Sequence, residues 1–501
     1  MYPIDFFFRA AKLYPDNIAL QSSGLTLTYR ELAAQVNALA VALQNIDPEP
    51  QSRVAICAAN SVEHAAAILA VLAAGKVWVP LNARSTQSEI ARILDTIEPT
   101  IVITDAKGAE LVSTCPATWL RFDQSGAEQN LNVEFLQNKY SGKQPSVNEA
   151  GEEGVQAIKF TGGTTGLPKG VMQPYRAWTA GIINQVSGWQ ITADDCFVVT
   201  APVTHGTSTY LLPMLAEGAK LLFLDKTDPA SVIKAFREEG GTMSFMPPTL
   251  IYMVMAEPGV SPADFPKLRN LIYGGAPMPI EKVDQLRAFF GEVVGTTYGQ
   301  TEAPQIVTMM RPSGFKDQRN SGSVGRCTWL SDMAIMSPDG RILPEGSIGE
   351  VVVRGHLVMK GYWRLPEKTA ETIIDGWLHT GDVGLIDERG YLFLKDRIRD
   401  VIITGGFNIY PTDVENVLSQ HPAVYECAVF GLPDEKWGEA VQAAVQLQPG
   451  VTCDEETLKA HIKQLLGPVA TPKKVHFLDQ LPRSSVGKVL KTAIRDVINK
   501  K

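Results

Sequence analysis

From Thr161 to Lys169 the chain places three glycines, three threonines and one lysine in nine residues, Thr-Gly-Gly-Thr-Thr-Gly-Leu-Pro-Lys. Glycine lets backbone N–H groups turn toward a ligand and approach it closely. Threonine hydroxyls add donors and Lys169 adds a positive charge, a combination that suits a polyphosphate. The spacing is not that of the common Gly-x-x-x-x-Gly-Lys-Ser/Thr loop, because Pro168 stands between the last glycine and the lysine. Taken alone, the stretch reads equally well as a flexible surface loop.

Five further segments carry residue types that chemistry could use. Tyr298-Gly299-Gln300-Thr301-Glu302 follows a strand expected at 292–297. An aromatic ring, a glycine and a carboxylate at the carboxyl end of a strand fit a nucleotide site with a hard oxygen donor for a metal. In Thr380-Gly381-Asp382, an aspartate after a tight turn can accept hydrogen bonds from both hydroxyls of a ribose. Asp396-Arg397-Ile398-Arg399-Asp400 is a charged cluster, Gly405-Gly406-Phe407-Asn408 shortly precedes Pro411, and Gly487-Lys488 lies on a loop near the C-terminus. Each has an ordinary structural alternative: a core tyrosine, a turn aspartate, a surface ion pair, a hairpin turn, a solvated lysine.

These residues need a scaffold, and strand and helix patterns alternate along most of the chain. A capping box at Thr28-Tyr29-Arg30-Glu31 opens a helix with Leu32, Val36, Leu39 and Leu43 at helical spacing. Strands are expected at 53–57, 77–79, 101–104 and 155–160, then at 196–200, 220–224, 242–246, 268–273 and 292–297. Helices are expected at 208–216, 229–239, 248–256 and 279–289, and another, following the glycine loop, from about Pro174. Alternation of this kind favours parallel sheets with helices on their faces. The apolar run 65–74 is read as a buried helix whose capping box is Asn60 with Glu63, and 124–150 as a loop or linker. From about 305 to 395, strands and tight turns suggest an antiparallel β subdomain. From Asp400 onward a compact α+β unit of about 100 residues follows.

Composition narrows the function classes. Of 501 residues 45% are hydrophobic and 20% charged, which supports a large core and more than one domain. The net charge of −8 argues against general affinity for nucleic acid or an anionic membrane. The run 65–74 is much shorter than the ~20 residues of a membrane span. Six scattered cysteines without a Cys-x-x-Cys pair read as reduced thiols of a cytoplasmic protein, and no histidine pair has zinc spacing.

Together and in this order, the segments resemble the adenylate-forming (ANL) superfamily of acyl-CoA synthetases, firefly luciferase and peptide-synthetase adenylation domains, from about Phe6 to Lys491. The resemblance implies a large α/β N-terminal domain with a β subdomain over 1–397, and a small, mobile α+β C-terminal domain over 398–501. It implies an AMP-forming carboxylate–CoA ligase using ATP, Mg²⁺ and coenzyme A. Thr161, Gly162, Gly163, Thr164, Thr165, Gly166 and Lys169 would hold the outer phosphates. Tyr298 would stack on adenine beside Gly274, Gly275 and Ala276, and Asp382 and Arg397 would hold the ribose. Thr301 would contact the α-phosphate, Glu302 would ligate Mg²⁺, and Lys488 would reach from the small domain to the reacting oxygens. His205 would gate an acyl pocket lined by Gly206, Thr207, Gly274, Thr297, Gly299 and Pro304. Arg399 would be the hinge, and Gly405 and Gly406 would line the pantetheine tunnel.

Two features qualify the resemblance. Gly162 stands where the family usually has serine or threonine, so the phosphate loop has one hydroxyl fewer. Near Gly206, where amino-acid-activating relatives place an acidic residue, this chain has none. A buried ammonium without a counter-charge is costly, which points away from amino acids and toward an aryl or medium-chain acid, in a pocket with no obvious cation. A separate carrier protein in place of coenzyme A, and a homodimer, are left open.

Overall fold

The computed structural model describes residues 1–123, 132–146, 150–161, 168–304, 306–483 and 489–499. The described residues form four sheets. In the nine-stranded sheet the central strands Val294–Tyr298, Asn270–Tyr273, Met243–Met246, Cys196–Val199, Lys220–Phe223 and Ile18–Gln21 run parallel. The strands of this centre are almost wholly buried, as apolar runs covered on both faces must be. The seven-stranded sheet places Val155–Thr161 between Val77–Asn82 and Lys169–Pro174. The third sheet, with Ser331–Met336, Gly349–Gly355, Trp377–Ile386 and Leu392–Arg397, is antiparallel, as expected for 305–395. The fourth, with helices Pro411–Ser419 and Glu455–Leu466, forms the C-terminal α+β part. The fold is thus a large mixed α/β N-terminal part with a β subdomain, followed by a small α+β part.

Local signals explain the elements. Helix Tyr29–Ile46 starts in the expected capping box of Thr28 and Glu31. The apolar run sits in helix Val62–Ala73, which is buried nearly all round and joins one core with Phe7, Leu39, Trp78, Phe197, Tyr210 and Phe245. Its cap is Ser61 rather than Asn60, because Asn60 is used elsewhere: its side chain donates to Ala201 O and accepts from Val203 N.

Helix Tyr175–Trp189 begins where expected, and strand Lys169–Pro174, which the sequence did not announce, precedes it and pairs antiparallel with Val155–Thr161, Thr161 opposite Lys169. Two local expectations change. Within 124–150 lies helix Val133–Lys139, capped by Asn132. Asp382 lies inside strand Trp377–Ile386 rather than after a turn, with the local irregularity carried by Gly381 at φ +69°.

Candidate active site

The first cluster forms where two sheets meet. Tyr298 ends strand Val294–Tyr298, and its hydroxyl donates to Asp382 Oδ2 at 2.6 Å. The Gln300 amide donates to the same oxygen, and Arg397 Nε lies 3.1 Å from Oδ1. Asp382 faces Arg397 because the two are register partners on neighbouring antiparallel strands. Burial, and then the Asp382 charge, push the Tyr298 phenol well above its usual range, so it stays a donor. Gly274 and Gly275 follow strand Asn270–Tyr273, beside Val294–Tyr298. A Cβ on Gly274 would meet Thr297 O at 2.9 Å, and Gly275 has φ +78°, so both positions need glycine. Ala276 follows, half-buried.

The second cluster links the strand pair to the segment after Tyr298. Lys169 Nζ lies 4.8 Å from the centre of the Tyr362 ring, and Tyr362 OH donates to Glu302 Oε1 at 3.0 Å. Tyr362 is in place because strand Gly361–Tyr362 pairs with Met172 and Val171. Thr301 is held by its carbonyl, which accepts from Gln173 Nε2 at 2.9 Å. Thr161 closes its strand opposite Lys169. Gly162, Gly163, Thr164, Thr165, Gly166 and Lys488 lie outside the described residues.

Glu302 offers one hard oxygen to a cation, since Tyr362 engages only Oε1. No group of three or more potential metal ligands occurs among the described residues. Mg²⁺ binds through one or two carboxylates together with substrate phosphates, and Glu302 could supply one such carboxylate.

The third cluster surrounds His205. The residue is exposed, with Nδ1 2.9 Å from Thr204 Oγ1. Although the residue as a whole is exposed, packing around the ring, then the Lys159 and Arg84 cations, push it below the usual imidazole range. Its carbonyl accepts from Ser208 Oγ at 2.6 Å and faces Lys159 Nζ at 3.4 Å. Gly206 O accepts from Thr209 Oγ1 at 2.6 Å, and Thr207 is buried. Thr297 Oγ1 donates to Thr308 O at 3.0 Å. Pro304 lines a cavity with Trp178, Gly181, Ile182 and Thr209, while Gly299 is half-buried beside Tyr298.

The remaining residues belong to the junction and the small part. Arg399 sits in the short turn Ile398–Asp400 after Arg397, half exposed. Gly405 and Gly406 form the turn between Ile402–Thr404 and Phe407–Ile409, at φ +56° and +84°. Gly405 N donates to Trp437 O at 2.8 Å, and a Cβ there would meet the Trp437 ring at 2.8 Å.

Four contributors to these clusters had no role in the sequence reading: Lys159, Gln173, Gln300 and Tyr362. Gln300 was visible within the Tyr298–Glu302 segment. Tyr362 had no signal, because its role depends on a strand pairing between distant segments.

The AMP-binding enzyme family matches residues 7–363, and the AMP-binding enzyme C-terminal domain matches 413–488. The chain is 34% identical over 490 residues to a feruloyl-CoA synthase of Amycolatopsis sp, covering 97% of each. It is 31% identical to the fatty acid–acyl-carrier-protein ligase ScoC of Streptomyces coeruleorubidus, covering 96% of this chain and 93% of that one. Among solved structures, ATP-bound MatB from Rhodopseudomonas palustris matches with a TM-score of 0.90 at 31% identity, covering 99% of both chains. The apo form of MatB matches at 0.81, with 30% identity and coverage of 100% of this chain and 99% of that one. The chain belongs to the AMP-binding enzymes of the ANL superfamily, as an acid–thiol ligase of the AMP-forming kind.

Proposed function

We propose that this enzyme activates an aryl or medium-chain carboxylic acid with MgATP and passes the acyl group to coenzyme A. The observation that carries the proposal is the convergence of Tyr298, Gln300 and Arg397 on Asp382, beside the chain Lys169–Tyr362–Glu302. The first group suits a nucleoside and the second a polyphosphate. Tyr298, with Gly274, Gly275 and Ala276, takes the adenine, and Asp382 and Arg397 take the ribose. Thr161 to Gly166 and Lys169 hold the outer phosphates, and Thr301 the α-phosphate.

One carboxylate oxygen of the acid attacks the α-phosphorus and pyrophosphate leaves. Two anions meet in this step, so cationic groups aimed at the developing charge decide the rate. Lys488 supplies one. Glu302 would hold Mg²⁺, which when bound neutralises phosphate charge. The thiol of coenzyme A then attacks the acyl carbon and AMP departs. For this second step the small domain, 398–501, turns about Arg399, carrying Lys488 out and Gly405 and Gly406 in. The better match to ATP-bound than to apo MatB supports the adenylating arrangement for this structure.

The acid binds beside His205, Gly206, Thr207, Thr297, Gly299 and Pro304. The absence of an acidic residue near Gly206 disfavours an amino acid. The likeness to an acyl-carrier-protein ligase favours a second acceptor, a separate carrier protein. The test is acid-dependent ATP–pyrophosphate exchange over a carboxylate panel, followed by thioester formation with coenzyme A. Exchange with no acid overturns the proposal, and exchange without a coenzyme A product moves the acceptor to the carrier.

A further inference from the structure

Lys159 is an unusual lysine. It is 6% exposed, clamped between two indole rings, with Nζ 5.2 Å from the Trp78 ring centre and 5.3 Å from that of Trp178. Its acceptors among the described residues are Ser208 Oγ at 2.6 Å and the more distant His205 carbonyl at 3.4 Å, both neutral. Burial alone, with no compensating carboxylate, pushes its pKa down to about 7. A second buried lysine among the described residues, Lys76, shows how such a group is normally satisfied. Its Nζ reaches Asp47 O, Glu49 O and Ser52 Oγ, with an Asp47 carboxylate oxygen at 3.9 Å.

The surroundings of Lys159 are also short of partners. Trp78 Nε1, Thr207 Oγ1 and Tyr210 OH are buried and lack a hydrogen bond among the described residues. Trp78 touches Lys159 itself, and Thr207 and Tyr210 belong to the same segment as its partner Ser208. Trp178, one of the two indoles on Lys159, also lines a small void with Thr209 and Pro304. A methionine would fill the same slot between the two tryptophans without the cost of a buried ammonium. Buried polar groups left short of partners are what a site uses to reject a ligand lacking the matching oxygen.

We propose that Lys159 determines specificity by reading the far end of the acid: the enzyme takes a carboxylic acid bearing a second hydrogen-bond-accepting oxygen, as a keto or carboxylate group, remote from the carboxyl that is activated. This rests on placing the acyl pocket at His205. Lys159 donates to that oxygen from between the two indoles.

The test is ATP–pyrophosphate exchange with matched acids of equal length: unsubstituted, oxo-substituted and dicarboxylic. The wild type should favour one oxygenated series over the unsubstituted acid by about tenfold or more in kcat/KM, and the two oxygenated arms tell a carbonyl from a carboxylate. Lys159→Met should abolish that preference, bringing kcat/KM for the oxygenated acid down to that for the unsubstituted one, with KM for ATP as the control. A wild type indifferent to the added oxygen overturns the inference without recourse to the variant. So does a variant that keeps the preference, or one that loses ATP affinity with the preference intact. Exchange with unsubstituted acids alone leaves the ligase proposal standing while this one falls, and no exchange with any acid removes both.

Discussion

The Tyr298 hydroxyl donates to Asp382 Oδ2 at 2.6 Å, tying the end of a strand in the nine-stranded sheet to the middle of a strand in the β subdomain. The residues proposed for adenine and ribose are therefore coupled directly to each other. Arg397 pairs with the other Asp382 oxygen, so the carboxylate is oriented from two sides. A preorganised acceptor of this kind loses little freedom when ligand hydroxyls arrive.

Tyr298→Phe removes one hydrogen bond to a charged group, worth about 1.5–3 kcal/mol. The expected outcome is a rise of roughly tenfold in KM for ATP with the ring and fold retained. Asp382→Ala should do more, because it leaves the buried Tyr298 hydroxyl without its acceptor. Initial rates against ATP concentration check both, with thermal unfolding as the control. An unchanged KM in both variants would detach this pair from the nucleotide.

A second prediction concerns the scaffold. Asp195 is 2% exposed and pairs with Arg269, while Thr242 Oγ1 donates to it at 2.7 Å, clamping the starts of neighbouring strands. Burial alone would raise the Asp195 pKa, but Arg269, the Thr192 N–H and Thr242 outweigh it and the net shift is downward. A carboxyl whose pKa is lower folded than unfolded adds stability above the unfolded pKa and loses it as pH falls through the folded one. Arg269→Ala strands a buried charge and should cost about 3 kcal/mol near neutral pH. That gap should narrow below about pH 4. Urea midpoints at the two pH values test it.

Gly405 provides a third. At φ +56°, with the Trp437 ring 2.8 Å from where a Cβ would lie, Gly405→Ala strains the turn by about 1–3 kcal/mol. If the turn lines the pantetheine tunnel, acyl transfer to coenzyme A should slow by about tenfold or more while acyl-adenylate formation is spared. Single-turnover measurements of each half-reaction separate the two, and equal losses would place the glycine in general folding.

Much of the scaffold was legible because local signals were strong. The strands expected at 101–104 and 196–200 and the helix expected at 208–216 follow from apolar pattern and breakers, and Thr28 with Glu31 forms the expected capping box. The hairpin partner Lys169–Pro174 was not legible, because glycine, proline and lysine in six residues mask a strand whose pairing supplies its stability. Asn60 misled for a related reason: its hydrogen bonds go to Ala201 and Val203, far away in sequence. The site shows the same division. Tyr298 and Glu302 stand in one short segment, whereas Tyr362 meets Glu302 only through a strand pairing, and the burial of Lys159 comes from helices and a sheet assembled around it.

If one lysine serves only one of the two half-reactions, Lys488→Ala separates them. Acyl-adenylate formation and thioester formation from supplied acyl-adenylate are measured separately in wild type and variant. The first should fall by on the order of a hundredfold or more, since a charged group aimed at the transition state is lost. The second should remain near the wild-type rate. Equal loss of both would contradict a small domain that carries Lys488 out of the site between the two steps.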